Sequence, residues 1–161
     1  MGSAAPAIRE DVLSQLLREP IDWRYKGFPS ADGVTIGTVG QEGWNLLRGD
    51  LALPALVLKE SALAHNIALM AGWCREHTVL HAPHGKTTMA PQLFQRQLEA
   101  GAWAITAATP SQARIYRAFG VQRILLANEL VEPTGLRWLA EEQASDPEFD
   151  STTELDSRGG S

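Results

Sequence analysis

Residues 103–127 read Trp103-Ala-Ile-Thr-Ala107-Ala-Thr109-Pro-Ser111-Gln-Ala-Arg-Ile-Tyr-Arg-Ala-Phe119-Gly120-Val-Gln-Arg123-Ile-Leu-Leu-Ala127, and this stretch decides the fold. Trp103–Ala107 and Arg123–Ala127 are short apolar runs bounded by turn residues, the pattern of strands buried on both faces. Between them Ser111–Phe119 reads as a helix, and Gly120 stands just past its end, where a C-terminal glycine is expected. A strand, a helix and a second strand in this span mean two parallel strands joined by a crossover.

The same unit recurs on both sides. Upstream, Ala55-Leu56-Val57-Leu58-Lys59 reads as a buried strand, and Ser61 as the N-cap of a helix that ends near His77. Leu63, Ile67, Met70 and Cys74 mark that helix's apolar stripe. Thr78–His81 reads as the next strand and Pro91–Ala100 as its helix, with Gly101 just beyond. Downstream, Pro133–Glu142 reads as a further helix. The fold class is therefore α/β with a parallel sheet, doubly wound or of (β/α) barrel type. About four units are visible, so a barrel reading makes this the first half of a (β/α)8 barrel.

Three regions follow: a helix and wrapping arm over 1–50, a partial barrel over 51–144, and a polar tail over 145–161. In the first, Ile8, Val12, Leu16 and Leu17 form one helical stripe limited by Pro20. The turn-rich stretch from Ile21 to Leu51 reads as an arm anchored by Trp23, Tyr25, Phe28 and Trp44. From about Ser145 the chain has almost nothing apolar and no period, so disorder is expected. An unpaired last strand at Arg123–Ala127 and an uncovered inner face predict a homo-oligomer.

Composition narrows the function classes. At 161 residues and 44% hydrophobic the chain can bury one ordinary core. A net charge of −5 without basic runs argues against a nucleic-acid partner. No apolar stretch is long enough for a membrane span and the start lacks a signal peptide's apolar region, so a cytoplasmic protein with no membrane partner is expected. The single cysteine, Cys74, rules out an internal disulfide and has no metal-ligand spacing around it. It reads as a buried apolar filler.

Chemistry concentrates at few positions. Of three lysines, Lys26 lies in the arm and reads as solvated, Lys59 ends the first strand, and Lys86 follows the second in His81-Ala-Pro-His84-Gly85-Lys86-Thr87-Thr88. Parallel α/β folds gather chemistry at the carboxyl ends of strands, so geometry permits both Lys59 and Lys86. A desolvated lysine there can bond the aldehyde of pyridoxal phosphate, whereas the ordinary role of either is a surface charge. His84, two residues before Lys86, points to the same side in an extended segment. A loop histidine by itself is more often structural than catalytic.

Leu53-Pro-Ala-Leu-Val-Leu58 and Leu63-Ala-His-Asn66-Ile67-Ala-Leu-Met70 resemble the first strand and helix of alanine-racemase-type, fold-type III pyridoxal enzymes. Pro83-His84-Gly85-Lys86-Thr87 is similar to the Pro-His-x-Lys-Thr motif of the D-threonine aldolase and D-serine dehydratase-like branch. Gly101-Ala102, Thr109-Pro-Ser111-Gln-Ala113 and Ile124-Leu-Leu-Ala-Asn128-Glu129 match that branch in order and spacing, so that the resemblance covers about 43–142.

The resemblance implies pyridoxal phosphate as cofactor, Lys86 as its catalytic lysine, and His84 and Asn128 as cofactor-binding residues. It implies a lyase acting on a small D-hydroxy amino acid, by aldol cleavage or by dehydration and deamination. The Gly43-Trp44-Asn45 lead-in is similar to a subgroup of deaminases or aldolases. The flanks depart from the family's pattern: Ala82 replaces an arginine and Thr88 a histidine. The family's divalent metal has no ligands here, nor is there a Gly-rich loop for the cofactor phosphate. A truncated chain, inactive alone, is therefore expected; the alternative is a non-catalytic fragment or a pyridoxal-phosphate-binding or interaction module.

Overall fold

A computed structural model describes residues 8–29 and 32–154. Glu10–Leu63 form one compact unit, and the rest of the described chain forms the other.

In the first unit the helix α1 spans Glu10–Leu17, and short 3-10 turns follow at Val39–Gln41 and Leu46–Arg48. Pro20 and Thr35 form an antiparallel bridge, and the Ile21 N–H donates to the Val34 carbonyl at 2.8 Å. Ile21 and Val34 are buried beside this bridge. The aromatic anchors of the arm behave unequally. Phe28 and Trp44 meet with ring centroids 5.6 Å apart, but Trp23 is 87% exposed and anchors nothing.

The run Ala55–Lys59 is not a strand. It is extended, has no ladder partner, and leaves Leu56 97% exposed. An apolar run gains nothing from strand geometry until another strand takes its N–H and C=O groups. Lys59 therefore ends no strand; its carbonyl accepts from Ala62 and Leu63 at the start of α2, Glu60–Glu76. Of the expected stripe on α2 only Cys74 is buried, with Leu63 and Ile67 half-buried and Met70 exposed.

Thr78–His81 is not a strand either, because the end of α2 uses it. Thr78 adopts φ 55°, its N–H donates to Arg75, and Val79 N–H reaches back to Cys74 at 2.9 Å. That pair of bonds is a Schellman cap, which satisfies the last helical carbonyls and delays the extended segment. Extended pairing begins at His81, whose carbonyl accepts from Trp103, and becomes a parallel bridge at His84 and Thr106.

The other elements fall near their expected places: α3 at Pro91–Glu99, β1 at Ile105–Ala107, α4 at Pro110–Ala118, β2 at Arg123–Glu129 and α5 at Pro133–Ser145. A proline opens each of these three helices at its first turn, where its missing N–H costs nothing. Gly101 (φ 106°) and Gly120 (φ 89°) take the left-handed conformation past α3 and α4.

A further strand, β3 at Asp150–Glu154, lies within the stretch expected to be disordered. The sheet is parallel in the order β1-β2-β3, so Arg123–Ala127 has a partner on both sides. Phe149, 5% exposed, seats the start of β3, and backbone pairing supplies what its polar side chains do not. The tail beyond Glu154 lies outside the described residues.

The core of this unit lies between the sheet and its helices. Phe94 and Leu98 of α3, Tyr116 of α4, and Ile105, Val121 and Ile124 are at most 2% exposed. Side chains of this size contribute roughly 1.5–3 kcal/mol each when fully buried.

Candidate functional site

His81–Gly85 lies along β1 as a fourth extended strip. Thr106 N–H donates to the Pro83 carbonyl at 2.8 Å, and Gly85 N–H donates to the Thr106 carbonyl at 3.0 Å. These two bonds flank His84, as a parallel bridge requires. The Thr106 hydroxyl donates to the Ala82 carbonyl at 2.6 Å. Pro83 and Gly85 are buried, and His84 is exposed.

Only a glycine fits at 85. A Cβ there would lie 2.7 Å from the Phe94 ring, 2.8 Å from the Tyr116 hydroxyl and 2.9 Å from an Ile105 methyl. The strip can approach the core this closely because residue 85 has no side chain. Phe94 and Tyr116 meet edge to face at 4.8 Å, and the Tyr116 hydroxyl donates to the Thr106 carbonyl at 3.4 Å. Burial pushes the Tyr116 phenol up to about 12.

Lys86 begins the turn that leaves this strip and is exposed. The turn is closed by the Gly85 carbonyl, which accepts from Met89 N–H at 3.0 Å. Met89 has φ 50°, a left-handed conformation that a residue with a Cβ adopts at a cost. Because His84 pairs with Thr106 and the strands are parallel, Lys86 sits at the carboxyl end of the sheet. Ala108 and the last residues of β2 share that end.

Asn128 is exposed near the end of β2, and its Oδ1 accepts from Glu129 N–H at 3.0 Å. Two strand spacings separate its backbone from the strip of Lys86, roughly 10 Å. Lys86 thus follows directly on the strip that holds His84, and Asn128 shares their sheet end without adjoining them. Lys26 and Lys59 are exposed in the other unit.

The helix N-termini at this sheet end differ in what they offer an anion. The Thr109 hydroxyl caps α4 by accepting from Gln112 N–H, and the Glu132 carboxylate caps α5 by accepting from Thr134 and Gly135. The α5 terminus therefore already holds a negative charge, whose pKa is lowered by these hydrogen bonds. Among the described residues no cluster of three or more His, Cys, Asp or Glu is placed to hold a metal ion. No helix among them is long and apolar enough to cross a membrane.

The opposite, amino-terminal end of the strands carries a recess of about 480 Å3 bordered by Arg9, Arg114, Arg117, Trp138, Glu142 and Asp146. Three of its charges, on Arg117, Glu142 and Asp146, are already paired. Arg117 donates to Glu142 at 3.1 Å, to Asp146 and to Gln122, and lies 4.7 Å over the Phe149 ring. Arg114 lies 5.2 Å over Trp138. These contacts tie α4 to α5 and to Phe149, the residue before β3.

Thr106 and Gly85 escaped the sequence reading as site residues. A threonine inside Ala104-Ile-Thr-Ala107 was a usable signal, because a buried hydroxyl must find a partner.

No protein-family model matches the chain. It is 34% identical over 109 residues to a D-threonine aldolase of an Arthrobacter species, covering 68% of this chain and 28% of that protein. It is 29% identical over 93 residues to a 3-hydroxy-D-aspartate aldolase of Paracoccus denitrificans, covering 56% of this chain and 24% of that protein. Its structure matches the crystal structure of D-threonine aldolase from Filomicrobium marinum with a TM-score of 0.57 at 29% identity, over 65% of this chain and 27% of that one. D-Threonine aldolase and 3-hydroxy-D-aspartate aldolase are therefore homologues of this chain. The chain spans about a quarter of the length of the relatives it matches.

Proposed function

We propose that this chain carries the cofactor-lysine portion of a pyridoxal-phosphate-dependent lyase of (β/α) barrel type that acts on small D-β-hydroxy amino acids. The observation that supports it most is the position of Lys86, the first residue beyond the hydrogen-bonded strip Ala82–Gly85, at the carboxyl end of a parallel sheet. Two homologues named as aldolases favour carbon–carbon cleavage over dehydration or deamination.

The residues present fit the aldehyde end of the cofactor. Lys86 offers a primary amine on a backbone whose preceding residues are fixed by hydrogen bonds. Pyridoxal phosphate, when bound, supplies the electron sink that makes bonds to the substrate's α-carbon labile. The work of this chain is to hold and orient. Lys86 would hold the cofactor at its aldehyde through Nζ. His84 contributes an imidazole that accepts or donates a proton from the strip before Lys86. Asn128 contributes an amide, a neutral donor and acceptor, at the neighbouring strand end.

The test is chemical. The chain is incubated with pyridoxal phosphate, reduced with borohydride and digested, and the pyridoxylated peptide is identified by mass spectrometry. The label is expected on Lys86 in preference to Lys26 and Lys59, and is expected to vanish in Lys86→Ala. Labelling that spreads evenly over the three lysines, or that survives the substitution unchanged, overturns the proposal. A product assay with D-threonine then separates a lyase from a cofactor-binding module.

A further inference from the structure

We propose that Thr106 is a positioning residue for Lys86, an inference that rests on Lys86 being the cofactor lysine. Apart from the Tyr116 phenol, Thr106 carries the one polar side chain buried among the described residues, 2% exposed between Ile105 and Ala107, which are both fully buried. Valine has the same shape, suits a buried strand and needs no partner. A hydroxyl at this position is tolerated only if it is hydrogen-bonded, and it is: it donates to the Ala82 carbonyl at 2.6 Å.

Three polar groups of this single residue grip the strip that leads into Lys86. The hydroxyl takes the carbonyl of Ala82, the N–H takes the carbonyl of Pro83 at 2.8 Å, and the carbonyl takes the N–H of Gly85 at 3.0 Å. Behind it the Tyr116 hydroxyl donates to the same Thr106 carbonyl at 3.4 Å, so the grip is backed by α4. Ahead of it the Gly85 carbonyl closes the Lys86–Met89 turn. The backbone on which Lys86 stands is therefore clamped on both sides of Gly85. A reactive amine held on rigid backbone is aimed, and the loss of one supporting bond costs reactivity before it costs the fold.

Thr106→Val removes the side-chain bond and keeps the volume, whereas Thr106→Ser keeps the hydroxyl. Two readings are taken on each. The first, free of cofactor, is amide hydrogen exchange at Gly85 and Met89. The second is the ratio of borohydride-trapped pyridoxyl label on Lys86 to that on Lys26 and Lys59, which serve as internal controls. In Thr106→Val the exchange at Gly85 is expected to quicken and the label ratio to fall, each by about five- to ten-fold, the equivalent of one ordinary hydrogen bond. Thr106→Ser is expected to restore both.

Equal exchange and equal label ratio in Thr106→Val and the wild type would overturn the proposal. So would a Thr106→Val chain that unfolds as a whole while Thr106→Ser matches the wild type in every reading, because the residue then only holds the fold. If wild-type label fails to favour Lys86 while Gly85 exchange still responds to Thr106, the cofactor reading has failed and the clamp stands.

Discussion

The phenol oxygen of Tyr116 lies 2.8 Å from the point at which a side chain on Gly85 would begin. The Phe94 ring and an Ile105 methyl crowd the same point at 2.7 and 2.9 Å. Gly85→Ala must therefore push the Ala82–Gly85 strip off β1 or force the aromatic pair apart. The expected cost is about 1–3 kcal/mol in denaturant unfolding, with weakened trapping of cofactor at Lys86. Wild-type stability in Gly85→Ala would show that the strip does not lie where the structure puts it.

Tyr116 also sets an alkaline limit. Its phenol titrates at about 12 in the fold against 10.0 when free, so the folded state holds the proton more tightly. The resulting stability is complete below pH 10 and is lost as pH rises from 10 to 12, in total on the order of 2–3 kcal/mol. Tyr116→Phe should flatten that decline. An equally steep loss in the variant would assign it to another group.

On the acid side, hydrogen bonding from Arg117, reinforced by Glu148 N–H, lowers the Asp146 carboxyl below its ordinary 3.8. A lowered carboxylate stabilises the fold above its ordinary value, and that contribution disappears as pH falls through the folded value. Thermal melting from pH 5 downward should therefore drop more steeply in the wild type than in Asp146→Asn. Parallel curves would contradict the pairing.

Phe149 tests the strand that follows it. Phe149→Ala empties a site that is 5% exposed beneath the Arg117 guanidinium. A loss of about 3–5 kcal/mol is expected, and amide protection in Asp150–Thr152 should fall with it. Unchanged melting would mean that β3 is not docked.

His84 is exposed, so His84→Ala should leave the melting temperature within error. Pyridoxyl label at Lys86 is nevertheless expected to fall about two- to five-fold, the worth of one contact. Label unchanged by the substitution would remove His84 from the site.

The elements legible in the sequence were those whose side chains carry the signal. Residues 91–142 declared themselves because Pro91 and Pro133 sit at helix starts, Phe94, Leu98 and Tyr116 fall on buried helix faces, and the buried strands of Ile105 and Ile124 are apolar. Two errors had one cause. Ala55–Lys59 has strand-like side chains but no backbone partner, and Asp150–Glu154 has polar side chains but pairs with β2. Pairing is a property of the neighbour, and side-chain polarity does not report it. At the site, Lys86 and His84 stood out through a motif. Thr106 and Gly85 act through a hydroxyl and through a missing Cβ, features that acquire meaning only once Phe94, Tyr116 and Ala82 are brought against them.

The side-by-side order β1-β2-β3 bears on how the chain reaches this state. Ile105 pairs with Ile124 and Arg123 with Asp150, so each strand docks on the one synthesised just before it. Every such pairing closes a loop of fewer than about 30 residues, an inexpensive closure that keeps contact order low for a parallel sheet. Assembly can therefore proceed by accretion while the chain is still leaving the ribosome. Each new strand meets an edge that is already laid down, with little time for that edge to capture a foreign one.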